Sequence, residues 1–514
     1  MLDMPITGKI SPAVWKSSAL LIISLGLFLR CTALGLDGLW MDEVFSASFA
    51  NLNPLEIIIA VLRFDIHPPF YYLQLKLWSL PSVSDFWLLA NSIAWSLGTL
   101  IIAAYGAYRL SGARAALLTA ALLAVTGSEI YYATELRMYA MISCLTVIGW
   151  IRADIWATQP TRSNAVWLVG ILGILAASHS SSFIPVSSVM MYALLNYWQR
   201  FGWRSLLRTW GVVASIGVLL APWLINASMR SISHTNIPSA DAVMQTLAGW
   251  ALGYGTFPIP HSIHLMAALI IVIFTVLAFA LGQQQVRMTL FSLVAWPAML
   301  LALASFMIRP IWIDRAVAFC APFLAISVAL FLSARYQTIK NAKASAWPFI
   351  CFISLCVLIL GVIGWSQAAS PRKMQYREAA NLIKQENHEK LPIHVPVNVA
   401  FWGIARYLAG SDWGNLLTIQ DAADNSETWA SIYRRLGTTW LTRLGLVPKT
   451  RELNTPYGTM WIGSSPIPDS VTTQGFWLVG DNNLLQNNTA CGNARLSDRW
   501  KFRGVVVVQC GKAH

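Results

Sequence analysis

The sequence predicts a polytopic α-helical membrane protein with a small α/β domain at its C-terminal end. Three observations carry that expectation. The 514 residues are 56% hydrophobic and only 11% charged, and the mean hydropathy is +0.55, more apolar than a chain that must coat its surface with polar groups. Apolar runs long enough to span a bilayer recur up to residue 368. After Ser370 the composition turns polar and mixed.

The expected spans are 15–35, 85–108, 113–133, 138–157, 164–180, 182–199, 207–228, 262–281, 288–308, 313–334 and 346–368, or about eleven helices. The first run has no small-x-small cleavage site in the right place, so it reads as a retained signal anchor. Basic residues set the orientation. With Lys9 and Lys16 in the cytoplasm, the loops on that side carry Arg109 and Arg114; Arg152 and Arg162; Arg200, Arg204 and Arg208; Arg287; and Arg335, Lys340 and Lys343. The opposite side carries Arg137, Arg230, Arg309 and Arg315. An odd helix count exports the C-terminal domain. The formal net charge of +13 therefore reads as basic loops facing anionic lipid. No compact basic-aromatic module points to nucleic acid.

Between the first two spans lies a long exported loop, residues 36–84. Within it "NPLEIIIAVLRF" has the length and apolar content of a helix lying in the membrane interface. Past Ser370, "MQYREAANLIKQEN" reads as an amphipathic helix with Ala379, Leu382 and Ile383 on one face. "IHVPVNVAFWGIARYLAG" reads as an extended run leading into helix or strand, and "RGVVVVQC" as a buried strand. Five of the seven cysteines lie in apolar runs and are expected as buried thiols: Cys31, Cys144, Cys320, Cys351 and Cys356. Cys491 and Cys510, in the exported tail, are a natural disulfide pair. Asn487–Thr489 is a glycosylation triplet of a kind that often arises by chance.

Five groups of residues could carry chemistry. "GLDGLWMDEVFSASFA" (35–50) sets Asp37, Asp42 and Glu43 beside the end of a spanning helix. Asp42 and Glu43 read either as solvated or helix-capping acids or as a general base. In "FDIHPPFYYLQLKLW" (64–78) two prolines start a helix and hold His67 at its entrance, with Asp65 two residues earlier. Either side chain could bind a cation or a phosphate oxygen, so a divalent metal on Asp65 and His67 stays open; Tyr71 belongs to the same segment. "SEIYYATELRMYAM" (128–141) places Glu135, Arg137 and Tyr139 between two apolar helices with almost no loop. Charges at that depth cost about a few kcal/mol unless paired or used, and Arg137 suits a phosphate. "IRPIWIDRAVAFCAPF" (308–323) clusters Arg309, Asp314 and Arg315 at a helix end, where snorkelling is the plain alternative. His179, in "ASHSSSF", reads as a satisfied polar group or a ligand. The orientation rule puts all five groups on one face, which suggests a site for a phosphate-bearing lipid.

At these residues the sequence resembles the membrane-embedded GT-C glycosyltransferases. It is most similar to the bacterial branch that groups with protein O-mannosyltransferases, the lipid A aminoarabinose transferase and the rhizobial lipopolysaccharide galacturonosyltransferases. The likeness rests on "LWMDEVFSA" (39–47), "HPPFYYLQLKLW" (67–78), "YYATELRMYA" (131–140) and "DRAVAFCAPFLAI" (314–326), in the family's order, with "YREAANLIKQ" opening the tail. The aminoarabinose transferases carry Glu-Lys-Pro-Pro where this chain has Ile66-His67-Pro68-Pro69. His67 thus stands in place of a phosphate-facing lysine, and the acid is displaced to Asp65.

The resemblance implies a polyprenyl-phosphate-sugar donor, a lipid, glycan or protein acceptor, and inverting transfer on the periplasmic face of a bacterial inner membrane. It implies Asp42, then Glu43, as catalytic acids and His67, Arg137 and Arg315 as the donor-phosphate site. Asp65, Tyr71, Glu135, Tyr139, His179 and Asp314 would line the substrate pocket. A transporter or flippase of lipid-linked sugars is the alternative. It would show internal repeats and helices broken at the midplane, and no clear repeat is visible.

Overall fold

The computed structural model describes residues 11–204, 209–228, 237–254, 258–307, 310–342, 345–395, 398–408, 452–462, 475–480, 491 and 494–513. The expectations for Lys9, Arg208, Arg230, Arg309, Lys343 and the Asn487–Thr489 triplet fall outside them. The chain divides into two compact units. One comprises Met1–Leu34, Ile66–Tyr71 and Leu89–Ser370; the other comprises Gly35–Asp65, Tyr72–Leu88 and Pro371–His514. The expected exported loop thus supplies most of its length to the second unit.

The helices begin with α1 (Pro12–Cys31), α2 (Met41–Phe49), α3 (Pro54–Phe64), α4 (Phe70–Trp78), α5 (Asp85–Val125) and α6 (Gly127–Ala133). They continue with α7 (Tyr139–Thr158), α8 (Arg162–Ala176), α9 (Phe183–Phe201), α10 (Trp210–Ser228), α11 (Ala240–Leu252) and α12 (His261–Leu281). Then α13 (Gln284–Leu290) runs through a π turn at Phe291–Ala295 into α14 (Trp296–Met307), followed by α15 (Cys320–Asn341) and α16 (Trp347–Ala369). Every expected span falls on helix, and among the described residues seven helical stretches are long and apolar enough to cross a membrane.

Local chemistry starts and stops these helices. Ser11 caps α1 by accepting the Val14 N–H at 3.3 Å, with Pro12 in the first turn. Asn53 and Glu56 cap α3 reciprocally, at 3.0 and 2.8 Å. Its Ile57 and Val61 are buried while Leu55 and Ile58 face outward, the pattern of an interfacial helix. At 41 residues α5 would be about 60 Å long if straight, twice a bilayer's apolar thickness. Gly112, with φ 79° and ψ −169°, breaks it where the sequence separates 85–108 from 113–133.

A second break separates α5 from α6, because Thr126 is extended at φ −63° and ψ 121°. There the backbones of α6 and α11 nearly touch. A Cβ on Gly127 would lie 2.2 Å from the Leu252 carbonyl oxygen, and the Ser128 hydroxyl donates to the Trp250 carbonyl at 2.8 Å. Arg30 closes the end of α5. Its guanidinium is fully buried and donates to the carbonyls of Leu123 (3.1 Å), Ala124 (3.3 Å) and Gly26 (3.0 Å) and to Ser96 Oγ (2.9 Å).

The second unit contains α17 (Tyr376–Glu386), β1 (Ile393–Val395), α18 (Asn398–Leu408), β2 (Glu452–Thr455), β3 (Gly458–Ile462), β4 (Phe476–Gly480), β5 (Ala494–Phe502) and β6 (Val505–Ala513). The strands form one six-stranded sheet in the order β2-β3-β1-β4-β6-β5. Strand β1 is parallel to β3 and β4, and the other pairs are antiparallel. The expected α/β domain is therefore present. Ala379 and Ile383 of α17 are buried, and "RGVVVVQC" supplies β6, whose Val505–Val508 are buried. Cys491 and Cys510 are joined in a disulfide.

One expectation fails. Cys144 and Cys320 are buried thiols, but Cys31 and Cys351 are exposed and Cys356 is half-buried. A helix facing lipid has no need to bury its apolar residues against protein.

The backbone approach at Gly127 predicts that Gly127→Ala destabilises the protein by about 1–3 kcal/mol. Gly170, with nothing within 4 Å of an added Cβ, should accept alanine with an unchanged or slightly higher melting temperature. Thermal melts of the two variants in one detergent check this; equal melts would place α6 wrongly.

Candidate active site

Five of the predicted residues, His67, Arg137, Tyr139, His179 and Arg315, come together in the first unit. Pro68 and Pro69 cannot donate a helical hydrogen bond, so α4 begins only at Phe70. The Phe70 N–H is taken instead by the Ala177 carbonyl at 3.1 Å. This ties the His67 turn to the α8–α9 loop, which carries His179. The two imidazoles stack with centroids 4.2 Å apart and planes 29° apart. Tyr139, at the start of α7, packs at 5.8 Å from His179. Arg137 sits in the five-residue link between α6 and α7, where its N–H donates to the Glu135 carbonyl at 2.7 Å. That link is held to α5 by the Ser92 hydroxyl, which donates to the same carbonyl at 2.6 Å. Glu135, Arg137, His67 and His179 are all buried.

Arg315 enters from a short 3-10 turn, Asp314–Val317, just before α15. The Asp314 carboxylate accepts the Arg315 N–H at 2.8 Å and so sets this turn. A small pocket is lined by Arg315, His179, Tyr139, Ser181, Ser182 and Phe319, among others. Tyr132 packs edge to face on Tyr139 at 5.2 Å, and Tyr131 and Tyr254 pack on Tyr132 at 5.1 and 5.8 Å. Tyr71 is fully buried.

Electrostatics and hydrogen bonding agree on the state of the two histidines. Burial, and then the charges of Arg137 and Arg315, hold His67 well below the usual histidine range. For His179 burial again comes first, followed by His67 and the same two arginines. Both rings are neutral at pH 7. The Nδ1 of His179 accepts the Ser181 N–H at 2.9 Å, and the Nδ1 of His67 accepts the Ser180 N–H at 3.4 Å. A nitrogen that accepts a backbone N–H carries no proton, so each ring's proton is on Nε2. Such a ring donates to an anion. To ligate a metal through Nε2 it would have to give up that proton.

In the second unit the acids of "MDE" sort into different roles. Both lie in the first turn of α2, where the helix dipole favours them. Glu43 is fully buried. One of its oxygens accepts the Trp40 N–H at 3.1 Å, and the other takes Lys373 Nζ at 2.6 Å. Asp42 is half-buried. Asp37, which no local pattern singles out, accepts the N–H groups of Arg372 (2.7 Å) and Lys373 (3.1 Å) and pairs with Arg503 at 3.4 Å. Asp65 ends α3 and accepts the Tyr72 hydroxyl, and Tyr72 stacks on Phe49 at 4.1 Å. Among the described residues no group of three or more His, Cys, Asp or Glu is placed to hold a metal.

Sequence reasoning missed Lys373, Ser180 and Ser181. Nothing local marks Lys373, which is 330 residues from its partner. The run of serines beside His179 was a visible signal.

No protein-family model matches the sequence, and no curated protein matches it. Solved structures do match. The apo structure of ArnT from Cupriavidus metallidurans is 13% identical, with a TM-score of 0.57 over 96% of this chain and 98% of that one. The same protein bound to undecaprenyl phosphate gives 13% identity and 0.56 over the same shares. The chain shares the fold of this ArnT.

Proposed function

We propose that the protein is an inverting glycosyltransferase that moves a sugar from a polyprenyl phosphate to a lipid, glycan or protein acceptor on the periplasmic face of a bacterial inner membrane. The observation that carries this is the cationic cluster of Arg137, Arg315 and two neutral histidines. It lies in a chain folded like ArnT, whose structure binds undecaprenyl phosphate. Such a cluster is built for a phosphate.

Asp42 accepts the proton of the acceptor hydroxyl. The oxygen attacks the anomeric carbon from the face opposite the phosphate, and the carbon–oxygen bond to phosphate breaks with its electron pair staying on the phosphate oxygen. The products are the glycosylated acceptor, with inverted configuration, and polyprenyl phosphate. Arg137 and Arg315 stabilise the charge that grows on the phosphate, and His67 donates to it. Glu43 is a positioning residue in this scheme: its two bonds fix the turn that presents Asp42. Glu135 and Asp314, with their loops, shape the substrate pocket.

Purified protein in nanodiscs, supplied with a panel of prenyl-phosphate sugars and membrane acceptors, tests the reading. Transfer should occur with inversion at the anomeric carbon. A labelled donor that crosses the bilayer without being consumed would point instead to a flippase. Asp42→Asn should abolish transfer at an unchanged melting temperature, and Arg137→Gln should slow it by about 10²–10³. If Asp42→Asn is as active as wild type while a stably folded Glu43→Gln is inactive, the base is Glu43. Lys373→Met leaves a buried carboxylate without its cation and should cost about 3–5 kcal/mol of stability. Glu43→Leu with Lys373→Met should recover most of that loss in denaturant melts. A single variant as stable as wild type would deny the ion pair its role.

A further inference from the structure

We propose that His67 and His179 act together as a paired imidazole donor, each giving an Nε2–H to an oxygen of the bound phosphate. The inference rests on the glycosyltransferase reading and adds His179 to the phosphate site as a binding residue.

Geometry sets the tautomers. A backbone N–H can only donate, so the Ser180 and Ser181 N–H groups fix Nδ1 of the two rings as acceptors. The serine hydroxyls add to this, with Ser180 Oγ 3.1 Å from His67 Nδ1 and Ser181 Oγ 2.7 Å from His179 Nδ1. Two successive residues of one loop thus orient two stacked rings in the same way. Each ring is left with a single donor at Nε2. The stacking itself favours neutral rings, since two imidazolium charges at 4.2 Å would repel.

The surroundings select an anion. His179 and Arg315 line one pocket, and the charges of Arg137 and Arg315 act on both rings. Ser182 lines the same pocket. It is 1% exposed, and its hydroxyl has no hydrogen-bond partner among the described residues. A buried hydroxyl is seldom left unsatisfied, and a phosphate oxygen in the pocket would take its proton. A cation there would meet the Arg315 guanidinium and the His179 N–H.

Protein labelled with 15N-histidine, in nanodiscs, provides the first measurement. Two rings should show the Nε2–H tautomer at pH 7, and their assignment to His67 and His179 follows from the Gln variants. Added undecaprenyl phosphate should move both Nε2–H protons downfield. An Nδ1–H tautomer or an imidazolium at either ring overturns the proposal, as does a response to Zn²⁺ but none to phosphate. Inorganic phosphate is the second arm: a response at equal concentration keeps the anion site and makes free phosphate its ligand.

Binding of undecaprenyl phosphate to variants is the second measurement. His179→Ala should weaken it about 10-fold or more. His179→Gln places an amide N–H near the position of Nε2 and should recover most of the affinity. His179→Asn cannot reach that position and should bind like alanine. Ser181→Ala, a smaller change, should weaken binding without unfolding the loop. If wild type binds and His179→Ala binds as tightly, the histidine pair falls while the glycosyltransferase reading stands. If wild type binds no polyprenyl phosphate, both fall.

Discussion

Arg30 ends one helix and thereby starts another. Where α5 stops at Val125, its last carbonyls lose their helical partners. Within hydrocarbon no water replaces them, and each unsatisfied group costs about several kcal/mol. The Arg30 guanidinium satisfies two of them, Leu123 and Ala124, and brings a positive charge to the negative end of the helix dipole. The cation needs this as much as the carbonyls do, because a fully buried arginine is tolerated only with its donors engaged. Ser96 completes the joint. Its hydroxyl takes the Arg30 Nε–H and donates to the Glu129 carbonyl at 3.1 Å. One side chain therefore links α1, α5 and α6. Since α6 runs straight into the link that holds Arg137, the position of the first unit's key cation is inherited from this joint.

The second unit repeats the logic with opposite sign. Its acids are satisfied by backbone N–H groups and by one buried lysine. Asp37 binds the N–H groups of residues 372 and 373, and the side chain of residue 373 binds Glu43. The same short stretch is thus held twice by the segment that carries Asp42. Arg406 and Tyr407 add a third tie by gripping Asp85 at 2.5 and 2.7 Å, and the Tyr407 hydroxyl also accepts the Leu39 N–H at 2.7 Å. Asp42, Glu43 and Asp37 are chemically alike in the sequence. They differ in surroundings: Glu43 is fully buried against Lys373 and Asp37 holds the backbone of residues 372 and 373, while Asp42 is half-buried.

These partners explain what could be read in advance. Helices were legible because apolar length and turn residues are local properties. Gly112 breaks α5 where the polar gap falls, and α4 follows Pro68–Pro69 as expected. The bend at Thr126 was not legible, because it follows from the approach of Leu252 to Gly127, 125 residues away in the chain. The charges of Arg137 and Arg315 both act on His67, and residues that bear charge beside a bilayer are few and each needs a reason. His179 looked like a satisfied polar group, and through its Nδ1 it is one. What the sequence could not show is that this same bond leaves Nε2 as a donor. Cys31 and Cys351 were misjudged for a different reason, since lipid and protein interior are equally apolar surroundings.

The mix of two arginines with two neutral histidines suits the proposed chemistry better than four cations would. A sugar–phosphate–lipid diester carries one negative charge, and the departing lipid monophosphate approaches two. Only an interaction stronger in the second state speeds the reaction. A site of four full charges would hold the diester tightly as well, and it would retain the product that must leave. Permanent charges on Arg137 and Arg315 respond to the growing charge by Coulomb attraction in a poorly solvated site. Neutral Nε2–H donors contribute direction with little long-range pull on the ground state. Keeping the histidines neutral requires burial, nearby cations and an acceptor role for Nδ1, and the serine loop beside His179 supplies the last of these.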